Sequence, residues 1–148
     1  MWIANAVSMS FVAAFVIPGW MFMRTREAWY GRLLGSIIAA NIAVAGLKPA
    51  FGRGGAFGRP VGALGCDLLC RGGAAGGQPG FPSGHMTTAA LLVSALWFHG
   101  GSQWTLWIGV PWVAAMAWAR WSKRCHNWQQ IAAGTILGYA LGWGISST

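Results

Sequence analysis

Five apolar stretches, separated by glycine, proline and charged residues, dominate the pattern of hydrophobic and polar positions along the chain. They cover roughly residues 1–23, 29–47, 87–98, 104–119 and 131–145. A perpendicular helix needs about 20 residues to cross a hydrocarbon core of about 30 Å, so the last three stretches must extend into flanking residues or lie in a thin membrane. The pattern predicts an all-α fold, a polytopic membrane helix bundle of about five transmembrane helices, with residues 1–148 as a single domain.

The first stretch differs from the others in two respects. Pro18 and Gly19 interrupt it near its end. It also resembles a signal peptide in position, but it lacks a basic start and a clear small-residue cleavage site. We therefore predict that it forms a helix of the bundle.

Composition agrees with a membrane location. Hydrophobic residues make up 55% of the 148 residues and charged residues only 8%, whereas an ordinary soluble domain has roughly 25% charged residues. Most of the eleven tryptophans lie near the ends of the predicted spans, which is typical of the aromatic belts at membrane–water interfaces. The net charge of +8 comes from Lys and Arg between the apolar stretches, which indicates anionic lipid or phosphate as the partner and not nucleic acid.

A glycine-rich loop covers residues 52–80, in which eleven of the twenty-nine residues are glycine. A flexible linker is one interpretation of this loop. A functional loop is the other, because long loops inside compact domains usually carry function and glycine lets backbone N–H groups approach a phosphate. Cys66 and Cys70 lie in this loop, where they could form a disulfide in an oxidising lumen or remain free thiols.

The alternating direction of five spans brings distant polar residues to one side of the membrane. The end of the second span, the start of the third, the end of the fourth and the start of the fifth must share that side. Seven of the ten basic residues and two of the three histidines fall there: Lys48, Arg53, Arg59, Arg71, Arg120, Lys123, Arg124, His85 and His126. We therefore predict an active site at this membrane face.

The residue types in this set suit phosphoryl transfer. Arg and Lys stabilise the charge on phosphate oxygens, one histidine can attack phosphorus, and a second can protonate the leaving oxygen. Glu27 and Asp67 are the only acidic residues, whereas a magnesium site normally uses several carboxylates. We therefore expect a reaction that needs no metal and no cofactor.

Three short motifs follow one another at the predicted span ends. They are Lys48 followed by Arg59-Pro60, then Pro82-Ser83-Gly84-His85, then Arg120 with His126 six residues later. Together they resemble the signatures of the type 2 phosphatidic acid phosphatase (PAP2) superfamily, and the resemblance extends from Lys48 to Gly134.

The resemblance implies a role for each matching residue. His126 corresponds to the nucleophile, and His85 corresponds to the general acid that protonates the leaving group. The phosphate ligands that it implies are Lys48, Arg59, Arg120, Ser83 and Gly84.

The chain departs from the family pattern at two important positions. Ten residues, instead of six, separate Lys48 from Arg59, so Arg53 is a further candidate for phosphate binding. Gln130 stands where the signature has an Asp that orients the nucleophile, and Gln at this position resembles the dolichyl-diphosphatase branch and its plastid relatives. The amide oxygen of Gln130 can accept a hydrogen bond from the imidazole. We expect the chain to be active, and a variant with Asp at position 130 to be active as well.

These residues predict a membrane-embedded lipid phosphatase that forms a phosphohistidine. Its substrate would be a phosphatidic acid-like lipid or a polyprenyl or dolichyl diphosphate. The alternatives are a catalytically inactive protein that binds phospholipid headgroups or serves as a structural subunit, and a phosphotransferase with an acceptor other than water. The resemblance implies a multi-pass protein of the endoplasmic reticulum or plasma membrane with a lumenal or extracytoplasmic site, whereas the positive-inside rule would place the site in the cytoplasm.

Overall fold

The computed structural model describes residues 1–67, 70 and 72–147. Its α-helices, in chain order, are α1 (Trp2–Met9), α2 (Ala13–Thr25), α3 (Ala28–Phe51), α4 (Gly84–Phe98), α5 (Gln103–Ser122) and α6 (Trp128–Ser146). The 3-10 turn Ser10–Val12 joins α1 to α2, so these two helices form one span. No strand is found within the described residues, and the predicted all-α architecture with five spans is confirmed.

Two helical spans are long and apolar enough to cross a membrane by themselves. They are Trp2–Thr25 and Ala28–Phe51, each of 24 residues, and α4 is a shorter apolar helix. The C-terminal helices are longer than their apolar stretches because polar residues complete their ends. At the start of α6, for example, the side chain of Asn127 accepts a hydrogen bond from the backbone N–H of Gln130 at 2.9 Å, which satisfies one of the free donors of the first turn.

The first span is irregular at Ser10 and not at Pro18. Pro18 lies inside α2, which agrees with the prediction that the first stretch is helical. The Ser10 hydroxyl donates to the carbonyl of Val7 at 2.6 Å and accepts from the indole N–H of Trp112 at 2.7 Å. A serine hydroxyl that bonds the preceding turn competes with the regular helical ladder, and here the bond to Trp112 also ties the first span to α5.

Helix α4 lies at the centre of the bundle and packs most closely against α6. The contact is made by three glycines spaced four residues apart on one face of α6: Gly134, Gly138 and Gly142, all of them buried. A Cβ atom at Gly138 would meet the carbonyl of Thr87 and would lie 2.9 Å from the Cβ of Ala90. Only glycine lets the two backbones come this close.

The outer surface of the bundle is strongly apolar. Trp2, Trp104 and Ile136 are exposed over 77%, 71% and 70% of their surfaces. By contrast, several polar side chains lie inside, among them Thr87, Thr88 and Ser94 on α4. An exposed apolar surface of this kind is typical of contact with lipid and not with water.

The glycine-rich loop has a defined structure that covers one end of the bundle. Its two halves pair through backbone hydrogen bonds, from Arg59 N–H to the carbonyl of Gln78 at 2.8 Å and from Gly80 N–H to the carbonyl of Phe57 at 2.8 Å. Isolated bridges join Gly58 to Pro79 and Leu64 to Ala74. The flexible-linker interpretation is therefore wrong for the described part of this loop.

We predict that Gly138→Ala destabilises the protein, whereas Gly144→Ala does not. The added methyl group at 138 would push α6 away from α4, at a cost of about 1–3 kcal/mol of unfolding free energy. Gly144 also lies on α6, but no atom is found within 4 Å of a Cβ placed there, and alanine is favoured in an exposed helix by up to about 1 kcal/mol. Thermal unfolding in detergent should separate the two variants; equal midpoints would show that close α4–α6 packing does not limit stability.

Candidate active site

The predicted site residues meet at the end of the bundle that the glycine-rich loop covers. Lys48 lies in the last turn of α3, Ser83 precedes α4, and Arg120 lies in the last turn of α5. A cavity of about 400 Å³, the cationic cavity, opens between these elements. Its polar lining consists of Asn41, Lys48, Arg59, Asp67, His85 and His126, with Gly84 beside them.

The turn between α5 and α6 carries His126 and is held in place by hydrogen bonds to the last turn of α5. The carbonyl of Arg120 accepts hydrogen bonds from the backbone N–H groups of Cys125 and His126, at 3.0 and 3.3 Å. Arg124 takes a left-handed conformation with φ of 54°, a conformation that is uncommon for residues other than glycine. The chain therefore reverses sharply after α5 and places His126 directly before the first turn of α6.

Gln130 orients the imidazole of His126. The side-chain oxygen of Gln130 lies 2.9 Å from Nδ1 of His126, while its amide nitrogen donates to the carbonyls of Ala56 at 2.9 Å and Gly58 at 2.7 Å. Two carbonyl acceptors use both amide hydrogens, so the oxygen must be the atom that faces His126. Nδ1 of His126 is then the protonated ring nitrogen, and Nε2 keeps its lone pair.

The surroundings of His126 favour the neutral imidazole. His126 is 2% exposed. Burial and the positive charges of Arg120 and Arg59 hold the pKa of His126 well below its ordinary value of 6.5, although the hydrogen bond to Gln130 acts in the opposite direction. The imidazole is thus in its neutral form at neutral pH, and its Nε2 carries a free lone pair.

His85 is the second histidine of the cavity. It is 6% exposed, and its Nε2 has no hydrogen-bond partner among the described residues. The ring of Phe11 covers it at a centroid distance of 4.4 Å. The hydroxyl of Ser83 and Nε of Arg120 are likewise buried and unpartnered within the described residues. Buried polar groups of this kind call for a partner, and a bound phosphate group could supply it.

Arg59 and Arg120 share one backbone acceptor. The carbonyl of Cys66 accepts from Nη1 of Arg59 at 2.9 Å and from Nη2 of Arg120 at 3.4 Å. Burial, together with the charge of Arg120, lowers the pKa of Arg59 from its ordinary value to about 10, and Asp67 partly opposes this shift. Arg59 therefore keeps its charge at neutral pH, but it lies in a site with an excess of positive charge that an anion would relieve.

Arg53, one of the basic residues that sequence analysis placed on this side, does not line the cavity. Arg53 is exposed and is not part of the lining of the cationic cavity, so the structure brings Arg59 and not Arg53 to Lys48. Arg71 lies outside the described residues. A role of Arg53 in phosphate binding stays a prediction.

A disulfide joins the glycine-rich loop to the turn that carries His126. It links Cys66 to Cys125, which are 59 residues apart in sequence and 5.3 Å apart between Cα atoms. Cys70 is a free thiol, so a Cys66–Cys70 pair is wrong. The pairing could not be inferred from spacing, because only the folded chain brings the loop against residue 125.

Two side chains that hold the site had no role assigned to them by the sequence, although Lys123 was placed on this side. Lys123 is 4% exposed, and its Nζ donates to the carbonyl of Gly65 at 2.8 Å. The side-chain amide of Asn127 donates to the carbonyl of Ala56 at 3.0 Å. Both bind backbone carbonyls of the glycine-rich loop, so no sequence motif marks these contacts.

Comparison with known proteins gives the family. The sequence profile of the PAP2 superfamily matches residues 29–148, which include every predicted site residue. The chain belongs to the PAP2 superfamily. No curated protein and no solved structure matches the chain significantly.

Membership of the PAP2 superfamily indicates phosphatase activity on phosphate esters. The match covers α3 to α6 and leaves out the first span, so Phe11 reaches His85 from outside the matched region. The match does not distinguish the dolichyl-diphosphatase branch, and the assignment to that branch stays a prediction.

We predict that opening the Cys66–Cys125 disulfide lowers activity. Without this link the carbonyl of Cys66 is no longer held beside Arg59 and Arg120, and removal of a native disulfide typically costs about 2–5 kcal/mol of stability. The variant with both Cys66→Ser and Cys125→Ser should therefore melt earlier and turn over phosphate esters more slowly. A reductant should slow the parent protein but not this variant. An unchanged rate in parent protein whose thiols are shown to be reduced would contradict the prediction.

Proposed function

We propose that this PAP2 protein hydrolyses the phosphomonoester or diphosphate of a membrane lipid through a phosphohistidine intermediate, without a metal. The observation that carries the proposal is the arrangement of two histidines in the cationic cavity. His126 offers an unprotonated Nε2, because Nδ1 is held by Gln130 at 2.9 Å. His85 lies in the lining of the same cavity, with Nε2 unpartnered within the described residues.

The reaction needs two displacements at phosphorus. In the first, Nε2 of His126 forms a bond to phosphorus, the bond to the leaving oxygen breaks, and protonated His85 gives its proton to that oxygen. In the second, neutral His85 accepts a proton from water while the water oxygen attacks phosphorus and the bond to His126 breaks. Phosphate then leaves, and both histidines return to their starting states.

The cations stabilise the phosphate throughout. Lys48 and Arg59 line the cavity, and Arg120 adjoins it. Fixed cations are most effective where charge develops on the equatorial oxygens of the transition state. Asp67 is the only carboxylate in the cavity lining of the described residues, and the other acidic residue, Glu27, precedes α3 at the opposite end of the bundle.

The shape of the cavity supports a lipid substrate. One wall is made by Ile42, Val44 and Ala45 of α3. Ile42 is 69% exposed on the outer surface, so the cationic cavity continues sideways onto the apolar face of α3. A phosphate group at Lys48 would then leave its hydrocarbon chain along α3 in the lipid, which suits a phosphatidic acid-like lipid or a polyprenyl or dolichyl diphosphate.

The disulfide supports an extracytoplasmic or lumenal site in a multi-pass protein. Disulfides persist in oxidising compartments and are rare in the cytosol, and the Cys66–Cys125 bond lies at the site. The excess of Lys and Arg on this side would favour the cytoplasm under the positive-inside rule. However, three of these basic residues adjoin the cavity and are accounted for by phosphate binding: Lys48, Arg59 and Arg120. The number of Lys and Arg residues on this side is therefore a poor guide to membrane orientation.

We expect His126→Ala to lower turnover to background, because the proposed reaction proceeds through a bond between Nε2 of His126 and phosphorus. His85→Ala should slow phosphomonoesters more than diphosphates, since a leaving phosphate needs less protonation than an alkoxide. His99 stacks on Trp29 at the other end of the bundle, so His99→Ala is the matched control and should keep activity. Phosphate release over a panel of lipid phosphates and diphosphates measures all three. Equal losses on both substrate types would exclude His85 as the acid.

We expect vanadate to inhibit turnover and EDTA to leave it unchanged. Vanadate mimics five-coordinate phosphorus, and the two acidic residues of the chain are too few for a magnesium site. Phosphate release by detergent-solubilised protein, with and without each reagent, is the measurement. Loss of turnover in EDTA that magnesium restores would refute the histidine mechanism.

A further inference from the structure

The amide of Gln130 connects the glycine-rich loop to the nucleophile. Its nitrogen donates to Ala56 and Gly58, and its oxygen accepts from His126. The side chain is fully buried, so water cannot take the place of any of these partners. Reversal of the amide would set its oxygen against two carbonyl oxygens and its nitrogen against the N–H of His126.

We propose that the backbone carbonyls of Ala56 and Gly58 select the Nδ1-protonated tautomer of His126 by fixing the direction of the Gln130 amide. Position 130 must therefore both donate and accept, and Gln130 is a positioning residue whose orientation the glycine-rich loop controls. The inference rests on the proposed function, because it assigns a catalytic purpose to the tautomer. In this arrangement the glycine-rich loop acts on His126 through the carbonyls of Ala56 and Gly58.

Two further contacts hold Gln130 in this arrangement. Gly80 lies directly over its side chain, because a Cβ at position 80 would lie 2.7 Å from the oxygen of Gln130 and 2.9 Å from Cγ of Arg59. The backbone carbonyl of Gln130 accepts from the N–H of Ser83 at 3.1 Å. The same residue thus contacts the nucleophile, the glycine-rich loop and the start of α4.

A carboxylate at position 130 does not meet these requirements. A carboxylate accepts hydrogen bonds but donates none. In place of the amide nitrogen it would set a charged oxygen against the carbonyls of Ala56 and Gly58. An Asp is in addition one methylene shorter and would lose the reach of Gln130. The proposal therefore expects Gln130→Asp to be slow, whereas sequence analysis expects it to be active, and activity of this variant stays a prediction to be tested.

The test compares Gln130→Glu with the parent protein across pH. At neutral pH the ionised Glu should be repelled by the two carbonyls, and kcat should fall by roughly 10 to 100-fold. Protonation would supply one O–H donor for a loop carbonyl and leave an oxygen for His126. The ratio of variant to parent kcat should therefore rise as pH falls from about 8 to about 5, a range into which burial raises the pKa of a carboxyl group.

A role in simple orientation predicts the opposite trend. If residue 130 needs only to accept a hydrogen bond from His126, a carboxylate is the stronger acceptor. The Gln130→Glu variant should then match the parent kcat at neutral pH, and the ratio of variant to parent kcat should fall as the pH is lowered. That result would overturn the inference while leaving the proposed phosphatase function in place. Gln130→Ala, which neither donates nor accepts, should be slow at every pH with a flat ratio.

A second pair of variants tests the inference independently if Gln130→Glu folds poorly. Gly80→Ala places a methyl group against the oxygen of Gln130 and should lower kcat without altering residue 130 itself. Gly73 lies in the same loop with no atom within 4 Å of a Cβ placed there, so Gly73→Ala should match the parent. Equal activity of the two alanine variants would contradict control by the loop.

A readout without turnover separates this inference from the proposed function. The chain has three histidines, and nitrogen-15 NMR of labelled protein distinguishes their tautomers. His126 should show the Nδ1-protonated form in the parent and lose it in Gln130→Glu at neutral pH. If the parent shows that tautomer but hydrolyses no lipid phosphate, the proposed function fails and the inference stands. If His126 is protonated on Nε2 in the parent, the inference is wrong.

Discussion

The close approach of α4 and α6 is the constraint on which the active site depends. Each helix begins next to a histidine of the cationic cavity, so the separation of the two backbones sets the separation of the two rings. Gly134, Gly138 and Gly142 remove the side chains that would keep the helices apart. At the top of this contact Ser83 N–H bonds the carbonyl of Gln130, which links the start of α4 to the first turn of α6. The packing of α4 against α6 inside the bundle therefore fixes the relative positions of His85 and His126 at its end.

The second support of the site is the backbone of the glycine-rich loop. Cationic and amide side chains from α5, α6 and the turn between them donate to its carbonyls, as Lys123 does to Gly65 and Asn127 does to Ala56. Backbone carbonyls are only partial charges, so they position a cation without neutralising it. The cavity therefore keeps a net positive charge for an anionic group. The Cys66–Cys125 disulfide joins the loop covalently to the turn between α5 and α6, next to the contact of Lys123 with Gly65.

Much of the architecture could be predicted from the sequence because it follows from local pattern. Apolar runs and their polar boundaries identified five spans, and the alternating direction of those spans brought Lys48, His85 and His126 to one side. The short motifs identified the family, because phosphoryl transfer requires particular residue types at helix ends. The sequence did not predict the irregularity at Ser10, because it depends on hydrogen bonds of Ser10 to its own turn and to Trp112.

The sequence by itself determined the helical class, the gathering of the polar residues at one end of the bundle, and the identity of the chemical groups. The tertiary structure alone decided how those groups are held: the pairing of Cys66 with Cys125, the cover of Phe11 over His85, and the direction of the Gln130 amide. The physical reason is that periodicity and motifs record which side chains a segment carries. Backbone carbonyls, by contrast, are the same at every residue, and only folding decides which of them face a given side chain.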